Sequence, residues 1–121
     1  MKQSGEDYLE SILRISRQYG SVRSIDVARD LEVSKPSVSV AIHNLEEQGY
    51  LIIRGHELIL TEQGLAIAEK VLERHELFYR FFVDMGVAER VAQEDACRME
   101  HALSGESFAA IKRYLEKYPV K

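Results

Sequence analysis

Apolar residues recur at helical spacing along most of the chain and give way once to a short β-rich stretch. Residues 5–19 predict an amphipathic helix with Tyr8, Leu9, Ile12, Leu13 and Ile15 as one wide stripe. Asp7 and Glu10 are neighbours at i and i+3, placed opposite that stripe, and Gly20 is a natural stop. Residues 24–31 predict a short helix using Ile25, Val27, Ala28 and Leu31. A turn at 32–34 follows. Ser34 then reads as an N-cap, with Pro36 in the first turn of a helix running from 35 to about 48. That helix buries Val38, Ala41, Ile42 and Leu45 and ends at Gly49. The β-rich runs flanking Arg54-Gly55-His56-Glu57 predict a hairpin. Thr61 caps a long helix from 62 to about 85, and Gly86 breaks it. Helices over 87–103 and 105–118 complete the chain.

The order of elements carries a functional reading. Two short helices joined by about four residues, over 23–49, have the shape of a helix-turn-helix, and the hairpin is its wing. Residues at the start of the second helix reach base edges in a major groove. Here they are Ser34, Lys35, Pro36, Ser37, Ser39 and Val40. Arg54 at the wing tip is placed for the backbone or minor groove. The long helix is apolar on most sides, more so than a chain this short can cover, and predicts a dimer interface. The fold class is therefore mainly α. A winged helix-turn-helix DNA-binding domain is expected over 1–62, followed by a helical dimerisation and metal-binding domain over 63–121.

Charge complicates this. The chain has 121 residues and a net charge of -4. Residues 1–62 carry seven Lys or Arg against ten Asp or Glu. A surface that meets DNA must have some of those carboxylates neutralised or turned away. A bound cation would do part of this. A single cysteine excludes an internal disulfide. No run of 18 apolar residues and no apolar leader are present, so no membrane partner and a cytoplasmic address are expected.

The cysteine has company. Cys97, Glu100 and His101 are spaced i, i+3, i+4, which puts thiol, carboxylate and imidazole on one helix face, away from the stripe of Ala92, Ala96, Met99 and Leu103. That donor set suits a divalent transition metal. Asp7, Glu10 and His75 are further candidates on two other helices, whereas His43 and His56 lack such companions. Cys97 and His101 on one regular helix, without a glycine-rich loop or an oxyanion nest, do not make an enzyme or a small-substrate site. A winged-helix regulator sensing redox state through Cys97 is the alternative.

Four stretches resemble one family. They are Glu6-Asp7-Tyr8-Leu9-Glu10, Ser34-Lys35-Pro36-Ser37-Val38-Ser39, Arg74-His75-Glu76-Leu77 and the run Asp95-Ala96-Cys97-Arg98-Met99-Glu100-His101-Ala102-Leu103-Ser104. Together they resemble the diphtheria-toxin-repressor family of metal-dependent repressors, including its manganese-regulator branch. The resemblance implies a homodimer whose binding to a double-stranded operator is promoted by a divalent metal. It implies Asp7, Glu10, His75, Cys97, Glu100 and His101 as ligands. Asp7 and Glu10 match the manganese branch, and Cys97 matches the iron branch. Tyr79 and Gln93 stand where the iron branch's ancillary site has a carboxylate and a histidine, so the resemblance does not extend to that site. The thiolate favours iron(II) over manganese(II), with manganese(II) kept open by the two carboxylates and other divalent ions able to substitute in vitro.

Overall fold

A computed structural model describes residues 5–118. Its elements run α1 (Gly5–Tyr19), α2 (Ser24–Leu31), α3 (Lys35–Glu47), β1 (Leu51–Arg54), β2 (Glu57–Leu60), α4 (Glu62–Asp84), α5 (Glu89–Met99) and α6 (Gly105–Lys117). The chain divides into two compact units, Met1–Lys70 and Val71–Lys121, with the division falling inside α4. Helices with a small two-stranded wing are the architecture that the hydrophobic pattern predicts.

In the first unit α1, α2 and α3 pack on one another and on the hairpin. Leu9, Ile12, Val22, Val27, Val38, Ile42, Leu45, Leu51 and Leu58 are buried there. Asp26 caps α2 by accepting from the Arg23 amide at 2.9 Å. Glu32 closes α2 in the left-handed conformation, φ +55°, unusual for a residue with a side chain. This makes the turn of the helix-turn-helix. Ser34 then caps α3, its Oγ accepting from the Ser37 amide at 3.2 Å. The hairpin pairs Leu51 with Leu60 and Arg54 with Glu57, and Gly55 at its tip has φ +64°. The Leu58 amide donates to the Val22 carbonyl, tying the wing to the segment before α2. Thr61 Oγ1 accepts from the Gly64 amide at 3.1 Å and starts α4. Gly64 is required by proximity: a Cβ there would lie 1.9 Å from the Tyr50 carbonyl oxygen.

In the second unit Phe78, Ala96 and Phe108 form the buried centre, with Leu77, Tyr79, Phe82, Met99, Leu103 and Ile111 packed around it. Ser104 caps α6 through the Ser107 amide. Helix α5 is shorter than the predicted 87–103. Carbonyls just beyond it are taken by a side chain from α4: Arg74 Nη1 donates to Glu100 O at 3.1 Å and Leu103 O at 3.0 Å. With those acceptors satisfied off the helix axis, the chain turns after Met99. No described helix is long and apolar enough to cross a membrane.

Candidate metal centre and DNA-reading surface

The second unit gathers four of the six expected ligands. His75 comes from α4, Cys97 from α5, Glu100 from the C-cap of α5, and His101 from the turn beyond it. Cys97 Sγ lies 3.8 Å from His75 Nδ1. Glu100 Oε2 lies 3.4 Å from His75 Nδ1, and Glu100 Oε1 lies 3.5 Å from His101 Nε2. One ligand atom each from His75, Cys97 and Glu100 falls within a 4.8 Å cluster.

Glu100 is the telling residue. It is only 2% exposed, and among the described residues neither carboxylate oxygen has a hydrogen-bond partner. An enclosed carboxylate with no donor is costly unless a cation meets it. Two imidazoles and a thiol stand around it, a mixed nitrogen, oxygen and sulfur set that fits a divalent transition ion. The two oxygens face different imidazoles, so one carboxylate serves both sides of the cluster.

The sequence expectation placed Glu100 on an exposed polar face with Cys97, and the structure corrects it. Cys97 is exposed, His101 is half-buried and Glu100 is interior. Asp7 and Glu10 need the same correction. They belong to α1 in the first unit and were expected opposite its apolar stripe, but every residue from 7 to 13 is buried. Asp7 is 8% exposed and Glu10 is 4% exposed, with Arg14 Nε 3.8 Å from Glu10. The helix is enclosed all round over two turns, so polarity is no guide to its outer face. Tyr8 sits beside this pair, its phenol pushed up by burial and then by the Asp7 charge.

Two residues around the cluster were named in the sequence reading without the contacts they make. Arg74, next to His75 in the motif, holds the backbone of Glu100 and stacks over the Phe108 ring at 5.1 Å. Tyr79 lies one turn along α4 with its ring parallel to His75, centroids 6.5 Å apart. Burial, then Glu89, raise the Tyr79 phenol, so it stays neutral and adds no charge beside the imidazole. Helical spacing from His75 was the available signal for Tyr79. Arg74 gave none, because its partners are 26 and 29 residues away.

On α3, Ser34, Lys35, Pro36, Ser37, Ser39 and Val40 are all exposed, as is Arg54 on the wing. Ser34 Oγ also donates to Ser37 Oγ at 2.9 Å, so the two hydroxyls are ordered as a pair. No acidic residue occupies the first turn of α3, which leaves its N-terminal dipole open to an anion. Part of the lobe's acidity is taken up within it: Asp7 and Glu10 are buried, and several exposed carboxylates are paired. Asp30 takes both guanidinium nitrogens of Arg14, at 2.8 and 3.3 Å, and Ser11 Oγ at 2.7 Å. Asp26 is a cap, Glu46 accepts from the Ile53 amide, and Glu69 pairs with Arg17.

Comparison with known proteins agrees with both surfaces. Family models described as the iron-dependent repressor N-terminal DNA-binding domain and the iron-dependent repressor metal-binding and dimerisation domain match residues 1–57 and 61–120. The transcriptional regulator MntR of Escherichia coli O157:H7 is 32% identical over 96% of this chain and 76% of its own. The chain belongs to the diphtheria-toxin-repressor family. An uncharacterized HTH-type regulator of Methanocaldococcus jannaschii is 35% identical over the whole chain and 99% of its own length. Among solved structures, T. acidophilum IdeR has a TM-score of 0.81 at 25% identity over 99% of this chain. A manganese-dependent transcriptional repressor in complex with manganese has 0.81 at 27% identity over 93%. The chain spans 56% and 53%, about half, of those two solved chains. The family is one of metal-dependent, DNA-binding transcriptional regulators, not of enzymes.

Proposed function

We propose that this family member is a homodimeric repressor that binds palindromic operators of metal-homeostasis genes in the cytoplasm when iron(II) or manganese(II) is present. The observation that carries the reading is the enclosed Glu100 carboxylate, with no hydrogen-bond partner among the described residues, between His75 and His101 with Cys97 alongside. Asp7 and Glu10 are proposed as the remaining ligands. Their burial without an apolar role supports this, as does the family resemblance of their motif. A bound divalent ion supplies the positive charge that lets such a set of carboxylates and a thiolate stand together.

The protein's own residues do the rest. As proposed ligands, Asp7, Glu10 and Glu100 would be like charges that a held cation offsets. Arg74 keeps the Glu100 backbone in place from α4. Ser34, Lys35, Pro36, Ser37, Ser39 and Val40 face the major groove, and Arg54 meets the backbone from the wing. Two reading heads in a dimer would address half-sites roughly 34 Å apart, or a multiple of it. A coupling of about 1–3 kcal/mol between metal and DNA is ordinary for allostery, and it is reciprocal.

Iron(II) is the proposed preferred ion, because the thiolate of Cys97 is softer than manganese(II) favours. The names of two relatives, MntR and the manganese-dependent repressor, point the other way. Fluorescence anisotropy on the protein's own promoter DNA, anaerobic and titrated with each ion, separates the two. Activation by iron at much lower concentration makes Cys97 the selecting ligand. Equal or better activation by manganese overturns the preference. Binding indifferent to both ions, lost only on thiol oxidation, would instead favour redox sensing through Cys97.

A further inference from the structure

The outward line of α3 has a chemistry of its own. Val38, Ile42 and Leu45 are its buried side. At about 100° per residue, the line directly opposite is Pro36, Val40, His43 and Glu47. All four are exposed, and Val40 is 63% exposed. None carries a fixed positive charge, so this line is not built to neutralise phosphates. Lys35 at the start of the helix and Arg54 on the wing have that character instead. An exposed valine and an imidazole at the centre of a reading helix suit base edges.

His43 is oriented for such a contact. Its Nδ1 lies 2.7 Å from the Ser39 carbonyl oxygen. A carbonyl only accepts, so Nδ1 carries the proton and donates. In the neutral ring Nε2 is then an acceptor, on the edge away from the helix backbone. Val40 and His43 are three residues apart, about 4.5 Å along the axis, a little more than one base step of about 3.4 Å.

We propose that Val40 and His43 are a base-reading pair. Val40 packs on a thymine 5-methyl group, and His43 Nε2 accepts from the exocyclic amine of an adenine or cytosine in a neighbouring pair. The inference rests on the DNA-binding reading above and adds the chemistry of the sequence it prefers.

The test uses the full chain with iron(II) or manganese(II) at pH 8. Duplexes are selected from a random library, and each thymine of the selected site is then replaced by deoxyuridine. Loss of one methyl is expected to weaken the wild type about four-fold, with Val40→Ala insensitive to that same replacement. His43→Ala should relax the selected sequence at one adjacent position and leave the salt dependence unchanged, because no phosphate contact is lost. Both positions are exposed, so unchanged thermal unfolding confirms intact variants. Indifference of the wild type to every deoxyuridine, a selected site without thymine, or equal sensitivity in Val40→Ala overturns the pair while DNA binding stands. A protein that enriches no duplex with either ion overturns the DNA-binding reading itself.

Discussion

Replacing Glu100 by methionine should make the metal-free protein more stable and the metal response disappear. The side chain is interior and offers two oxygens with no hydrogen-bond partner among the described residues. A buried unsatisfied polar group costs about 1–3 kcal/mol, and a charged one more. Attraction to the imidazoles at 3.4 and 3.5 Å returns part of that. Methionine has a similar length and no group to desolvate. A net gain of about 2 kcal/mol follows, close to what hydrophobic replacement of buried charge delivers elsewhere. For a domain of this size it corresponds to a rise of roughly 8 °C in Tm. The assay is thermal unfolding at one protein concentration and pH 8, with chelator and then with saturating ion. The wild type should gain about 2.7 kcal/mol at 100 times its metal Kd, and Glu100→Met should gain almost none. A metal-free variant less stable than wild type would show that the carboxylate is structural. An unchanged metal response would remove Glu100 from the ligand set.

Three further expectations test neighbouring parts. Cys97→Glu should move relative affinity from iron(II) towards manganese(II) by about ten-fold or more, since even outer-shell changes reach that size; competition with a chromogenic chelator measures it. Gly64→Ala forces a Cβ to 1.9 Å from the Tyr50 carbonyl oxygen; urea denaturation should show a loss of about 3 kcal/mol or more. Lys112 is raised by its hydrogen bond to Glu73 and by that residue's charge. Its contribution is therefore complete below the free-lysine value of 10.5 and fades as pH climbs through the higher folded value. Denaturation at pH 8 and pH 11 should show a smaller alkaline loss in Lys112→Met than in wild type.

Where local chemistry decides, the sequence was legible. Ser34 and Thr61 cap the helices that follow them, and the hairpin turns at Gly55. The spacing of Cys97, Glu100 and His101 marked three candidate donors, but α5 ends at Met99, so Glu100 stands at its C-cap and His101 in the turn beyond. His75 joins them through the packing of α4 on α5, which no spacing encodes; its place among the ligands came from the family resemblance. Two errors have one root. Asp7, Glu10 and Glu100 were assigned to outer faces because charge ordinarily seeks water. All three are buried in the structure, and a helical wheel cannot register that exception. The early end of α5 was invisible for another reason, since Arg74 reaches the carbonyls of the segment after it across 26 to 29 residues.

That arginine has a mechanical consequence. Arg74 precedes His75 on the same turn of α4 and donates to the carbonyl of Glu100, so it ties the backbone bearing His75 to the backbone bearing Glu100. The pair acts as a caliper with a set jaw. If His75 and Glu100 hold an ion as proposed, ions differing in radius would meet the same opening, and any adjustment would fall on side-chain torsions or on other ligands. On that reading, discrimination by size would be partly built into an arginine outside the proposed ligand set.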